Sequence, residues 1–341
     1  MGRYAGFFVF LLLLLLIIPA FSLLGGEKAA EKRPPKEEDT VTASLAFPTL
    51  AGLCLEEPQA YQDNRFYLIE DHLTRETMAL TPEEYLTGVV AAEMPASFHT
   101  EALKAQAVAA HTYALRQIGE TDEPPYLSTD PARFQAYLSP RERQEAWGEN
   151  YDLYERKLSQ AVDEVVDQVM VYDGEPIAAA FHAISSGRTE SAENVWGQSL
   201  PYLEPVESQG DLLSPGYETQ VLLPEAEVAN ALLEAYPGIS LSEDRSQWFS
   251  QLRRSESGSV LSLLVGDQET TGQAVRRLFG LRSAHFTVEP GDGGFLFTCL
   301  GSGHGVGMSQ YGADYLARQG FSWEEILTYY YKNVTFVHTA Q

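Results

Sequence analysis

The sequence predicts an α+β protein: a single large mixed domain of helices and short antiparallel strands around a cleft, preceded by an N-terminal transmembrane helix. Helix-start signals alternate with short apolar runs bounded by turn residues, an uncharged apolar stretch opens the chain, and no break in composition follows residue 47. The chain has 341 residues, 44% hydrophobic and 11% aromatic, enough to bury a sizeable core. It carries 48 acidic residues against 23 basic, formally -25. That argues against nucleic acid as the main partner, because phosphate binding needs a basic face.

Residues 1–24 form the expected anchor. Arg3 precedes an uncharged run from Tyr4 to Leu24, close to the ~20 residues that span a bilayer. No Ala-x-Ala-like cleavage site is evident, so a retained single-pass anchor with the bulk of the chain outside is expected. Lys28, Lys32, Arg33 and Lys36 lie beyond it, so flanking charge does not set the orientation. Residues 25–46 mix Gly, Pro and both charges without periodicity and read as a linker, leaving 47–341 as the globular domain.

Arg65–Glu70 and Glu76–Leu80 read as short strands. Thr81-Pro82-Glu83-Glu84 is a helix start: a capping Thr, Pro in the first helical position and Glu84 completing a capping box. That helix should end near Glu93, because Pro95 biases Met94 away from helical geometry. Glu93 is the one acid in an apolar stretch, with Gly88 to Ala92 before it and Met94, Pro95 and Ala96 after. A second helix, Thr100 to Ile118, is rich in alanine, and its Lys104, Gln106, His111 and Arg116 are candidates to face the same cleft. Lys104 and Arg116 read equally well as solvated helix residues.

The stretch 122–137 is Pro-rich and irregular. Tyr154–Gln168 is an amphipathic helix, and Val169–Tyr172 and Pro176–His182 are strands around Asp173-Gly174. The segment 181–197 packs His182, Ser185, Ser186, Gly187, Arg188, Thr189 and Glu190 into one polar loop, of the kind that often carries binding function. Further on come a helix near Glu225–Tyr236, a strand near Val260–Val265, a helix from Thr271 to Phe279, and two strands around Gly291–Gly294. Residues 300–320 crowd glycines around His304 and Met308, where backbone can approach closely. Helices follow from about Ser309 and in Trp323–Tyr331.

An acid at the end of an apolar helix either pairs with a nearby cation or sits desolvated with a raised pKa, as general acid catalysis of glycosidic cleavage requires. His182 and His304 lie in no metal-binding spacing, the glycine run lacks the Lys-Ser/Thr of a phosphate loop, and Ser185 and Ser186 lack the context of a nucleophilic serine. Cys54 and Cys299 lie in no cluster; they read as buried thiols, or as one disulfide in an oxidising compartment.

Three stretches resemble the stage II sporulation protein D family: YLTGVVAAEMPASFHTEALKAQAVAAHTYAL, FHAISSGRTESAENVWG with PYLEPVES, and GSGHGVGMSQYGADYLARQGFSWEEILTYYY. With the anchor they cover the chain end to end, in the family's order. The resemblance implies a lytic transglycosylase that cleaves peptidoglycan glycan strands, after an amidase has removed their stem peptides, during engulfment of the forespore. It implies a place in the mother-cell membrane with the catalytic domain extracytoplasmic. A sporulation amidase and a polytopic membrane protein are the implied partners, and no cofactor is implied. Glu93 matches the family's catalytic acid. Lys104, His111, Thr189, Tyr202 and Tyr331 carry over as cleft positions, and Arg116, His182, Ser186, His304 and Gln310 complete the candidate substrate contacts. The family usually has Arg at the position of His111 and an aromatic at that of Ser302. Some members bind zinc through cysteines and histidines; no cysteine lies near these loops, so no zinc is expected. A related group, the amidase enhancer proteins, shares the domain. Glu190 and Glu193 are candidates for a second carboxylate.

Overall fold

A computed structural model describes residues 61–62, 66–120, 124 and 126–340. Among these the helices are α1 (Pro82–Glu93), α2 (Thr100–Gly119), α3 (Pro140–Trp147), α4 (Tyr151–Asp163), α5 (Ala192–Trp196), α6 (Glu225–Ala235), α7 (Gly272–Phe279), α8 (Gln310–Arg318) and α9 (Trp323–Tyr330). The architecture is α+β, with short strands in several small sheets. One pairs Tyr61–Gln62, Thr335–Ala340, Gln168–Tyr172 and Glu175–Pro176 in that order, and another pairs Thr77–Leu80, Tyr67–Glu70 and Leu127–Ser128. Pairing is mostly antiparallel, but three pairs are parallel, including Met308–Ser309 on Phe181–His182.

One part of the expectation is corrected. No helix among the described residues is long and apolar enough to cross a membrane, so the described fold is α+β and supports neither the expected transmembrane helix nor the single-pass membrane localisation. The stretch 1–24 on which that expectation stood lies outside the described residues, as do the linker 25–46 and Cys54. Cys299 is a buried thiol.

Helix α2 is the centre of the first hydrophobic core. Residues Ala102, Leu103, Ala105 to Thr112, Ala114 and Leu115 are all buried, so the helix is enclosed on nearly every side. Its alanines let α1, α4, α8, α9 and the strand Gln168–Tyr172 pack directly on it. Thr112 fits because its hydroxyl donates to Val108 O (2.7 Å) and accepts from Met170 N–H (3.0 Å). Helix α1 starts as its sequence dictates, with a complete Thr81–Glu84 capping box and Pro82 in the first turn, and stops at Met94, which is extended (φ -124, ψ 143). Gly88 lets the segment 134–138 lie directly on α1: Leu138 N–H donates to Gly88 O (3.1 Å), and a Cβ at Gly88 would fall 2.1 Å from the Tyr137 ring.

A second core, built by Val228, Leu232, Trp248, Phe249, Leu263, Phe286, Phe295, Phe297 and their neighbours, was not foreseen. It is formed by residues 218–300, with the sheet Phe286–Gly291, Gly294–Leu300, Glu218–Pro224 and the sheet Gln268–Thr270, Val260–Val265, Phe249–Arg254. Both cores belong to one unit, Gln59–Gln341. The strands Glu218–Pro224 and Phe249–Arg254 were missed because their exposed faces blur the period-2 pattern.

Candidate functional site

Glu93 closes α1 with part of its surface open to solvent. Two donors hold its carboxyl group. Ala136 N–H reaches Oε1 at 3.3 Å, from the segment that Gly88 admits, and the Gln310 side-chain amide reaches Oε2 at 3.1 Å. Crowding by the surrounding protein lifts the pKa of Glu93 above its ordinary 4.5, and the two donors pull it back only in part. No carboxylate stands among the groups that shift it.

Gln310 is pinned from behind. It is the first residue of α8, where Ser309 caps the helix by accepting from Gly312 N–H (3.2 Å). The same hydroxyl donates to Asp211 Oδ1 (2.7 Å), and Asp211 Oδ2 accepts from Ser185 N–H (2.9 Å). Asp211 is wholly buried, and desolvation raises its pKa against these hydrogen bonds. Gln310 also faces Gln106 Oε1 at 3.5 Å, so of the polar residues on α2 it is Gln106 that adjoins this amide. Behind Glu93, Tyr85 accepts from Gln135 (3.1 Å) and stacks on Tyr137 with centroids 6.2 Å apart; burial raises its pKa, with Glu93 among the lesser causes.

The other expected contacts have the following partners in the protein. Lys104 forms ion pairs with Glu101 (2.8 Å) and Glu164 (2.6 Å). Arg116 donates to Pro176 O (3.0 Å) and pairs with Glu120 (3.0 Å). His111 is fully buried, its Nε2 2.8 Å from the Tyr67 hydroxyl. Thr189 accepts from Val206 N–H (2.8 Å), Tyr202 from Ala178 N–H (3.3 Å), and Tyr331 donates to Ala180 O (2.7 Å); all three are buried. Ser186 donates to Ser257 O (2.9 Å).

His182 and His304 do come together, with ring centroids 5.7 Å apart, and Trp196 lies 5.3 Å from His304. Val306 orients both rings: its N–H donates to His304 Nδ1 (3.0 Å), and its carbonyl accepts from His182 Nδ1 (3.0 Å). Desolvation leads in pushing His182 down to about 3, with His304 adding to it, and in pushing His304 down to about 4, with Arg276 adding to it. Both rings are neutral at physiological pH.

Glu190 is buried. It accepts from Ser191 N–H (3.0 Å), the Asn194 amide (2.8 Å) and the Ser255 hydroxyl (2.5 Å), tying the polar loop to the 218–300 segment. Glu193 is exposed in the first turn of α5. Sequence reasoning missed Asp211 and Ala136. A backbone N–H leaves no mark in a sequence, and Asp211 stands in a stretch with no motif.

These features define a class: an α+β protein built around one partly exposed acid with a raised pKa, clamped by an amide from a distant helix. The family model for stage II sporulation protein matches residues 70–172, which contain that acid. The stage II sporulation protein D of Bacillus subtilis is 37% identical over 255 residues, 73% of this chain and 72% of that one. That of Bacillus amyloliquefaciens is 37% identical over 257 residues, 74% and 73% of the two chains. The amidase enhancer of Bacillus subtilis is 27% identical over 308 residues, 73% of this chain and 40% of that protein. The chain belongs to the stage II sporulation protein D family.

Proposed function

We propose that this protein is a sporulation lytic transglycosylase that cuts the glycan strands of peptidoglycan after their stem peptides have been removed. The observation that carries this reading is Glu93: one carboxyl group with a raised pKa, held by two N–H donors. In the first step the protonated Glu93 gives its proton to the oxygen leaving C1 of N-acetylmuramic acid. The carboxylate so formed is the species that the Gln310 amide and Ala136 N–H stabilise. In the second step that carboxylate takes the proton of the C6 hydroxyl of the same sugar, and the oxygen closes on C1. The product carries a 1,6-anhydro ring, no water is consumed, and Glu93 is protonated again. Hydrolysis would need a second carboxylate to activate water or attack the sugar. Glu190 is engaged in three hydrogen bonds of its own and does not favour that route.

The test is mass spectrometry of products from peptide-free glycan strands. The wild-type protein is expected to release 1,6-anhydro ends, and folded Glu93→Gln to release none. Anhydro ends from Glu93→Gln would refute the assignment, and reducing ends from the wild type would make the enzyme a hydrolase.

The similarity to an amidase enhancer supports a second reading, in which the chain binds glycan and stimulates a cell-wall amidase. It predicts amidase stimulation that persists in Glu93→Gln, with no strand cleavage by the purified wild type.

A further inference from the structure

The run from Gly301 to Gln310 has a regular construction. Gly301, Gly303, Gly305 and Gly307 all have positive φ. A Cβ would fall 2.6 Å from Ile184 O at Gly301, 2.7 Å from His182 Cβ at Gly303 and 2.0 Å from Ala180 O at Gly307. Gly301, Gly303 and Gly307 therefore press bare backbone onto residues 180–184, Gly305 lies against Glu190, and the even positions carry the side chains: Ser302, His304, Val306, Met308 and Gln310. The segment that delivers Gln310 to Glu93 thus also delivers His304. Six residues of chain reach at most about 20 Å, so the two lie within the span of an oligosaccharide.

At the far end, Trp196 is 48% exposed and rests on the His304 ring. A lone exposed aromatic is ordinary on a protein surface, but this one stands over an incomplete polar cluster. His182 is 4% exposed and spends Nδ1–H on Val306 O, which leaves Nε2 as a bare acceptor. That atom is buried with no partner among the described residues, and few buried polar atoms in native proteins stay so. In His304, Nδ1 accepts from Val306 N–H, so Nε2 carries the proton.

We propose that Trp196 and His304 form a distal saccharide subsite, an aromatic platform for one ring of a glycan strand whose scissile bond lies at Glu93. An uncharged sugar is the occupant that fits. Aromatic faces take the C–H face of a pyranose, and Trp196, 48% exposed, presents one. Both rings are neutral and add no fixed charge of their own beside Arg276, so the N-acetylglucosamine ring of the strand, which has no carboxylate, is the sugar that suits them. The position of the scissile bond rests on the transglycosylase reading; saccharide binding at Trp196 does not.

The test uses the full chain carrying Glu93→Gln, so that strands are bound and not cut, with peptide-free glycan strands graded by length and binding measured by calorimetry. Trp196→Ala is expected to weaken binding of long strands about tenfold (~1.4 kcal/mol) and to leave a single disaccharide unaffected, while Trp196→Phe retains most of the affinity. In the Glu93 background, Trp196→Ala should raise KM on long strands with kcat unchanged. Thermal melting monitors folding. Equal affinity of Trp196→Ala and its parent for long strands overturns the subsite, as does an equal loss for long and short strands. Failure of the transglycosylase reading would show separately, as reducing ends, or no cleavage at all, from the wild-type protein on peptide-free strands.

Discussion

Replacing Gln310 by leucine removes the amide that donates to Glu93 Oε2 at 3.1 Å while keeping the bulk of a side chain that is only 4% exposed. A hydrogen bond to a charged group contributes about 1.5–3 kcal/mol. The Gln310 bond reaches that strength only when Glu93 is a carboxylate, which is the state formed as the proton leaves. The lost stabilisation corresponds to a fall in kcat of about 10- to 150-fold. The same loss favours the protonated form, so the pKa of Glu93 moves further above its ordinary value. A general acid works while protonated, so the limb along which activity declines with rising pH should shift to higher pH as the plateau drops. The assay is a pH–rate profile for release of anhydro ends from peptide-free strands, with thermal melting to confirm the fold. A folded Gln310→Leu protein with the parental plateau and limb would refute the assigned role of this amide.

Glu93 should also cost stability. Its folded pKa is raised above its unfolded value, so the folded state holds the extra proton between the two, and stability falls as pH rises through that window. Glu93→Gln should therefore melt above the wild type at neutral pH, with the gap closing below the ordinary value of 4.5 in differential scanning calorimetry. Gly88→Ala drives a methyl group to 2.1 Å from the Tyr137 ring and 2.9 Å from Leu138 O; it should cost about 1–3 kcal/mol in chemical denaturation and lower kcat by moving Ala136 N–H. Lys104→Met breaks the ion pairs to Glu101 and Glu164. It should cost about 1 kcal/mol in the same assay with KM for glycan unchanged; a raised KM would instead make Lys104 a substrate contact.

Local signals were legible and long-range ones were not. The Thr81–Glu84 box and Pro95 bracket α1 within the expected bounds, and α2 runs Thr100–Gly119 where Thr100–Ile118 was expected. Helix α3 carries the same signature, Ser139-Pro140 with Glu142 closing a capping box, and was overlooked inside a charged stretch. The acid at the end of α1 was legible because a charge among apolar residues needs a reason. Its clamp was not, since Gln310 lies 217 positions away and nothing local in the chain says which helix end will meet α1. Lys104, His111, Thr189, Tyr202 and Tyr331 each have a protein partner far along the chain or on a neighbouring element, and nothing local in the sequence named those partners.

The glycine at every second position from 301 to 307 also acts as a ruler. Losing or gaining one residue there would put side chains where only bare backbone fits, and would turn His304 and Gln310 away from their partners together. Losing or gaining two keeps the phase but changes the spacing between His304 and Gln310. Length variation in this segment among related chains should therefore come in steps of two, each step setting a different footprint along the sugar chain while the acid and its clamp remain in place.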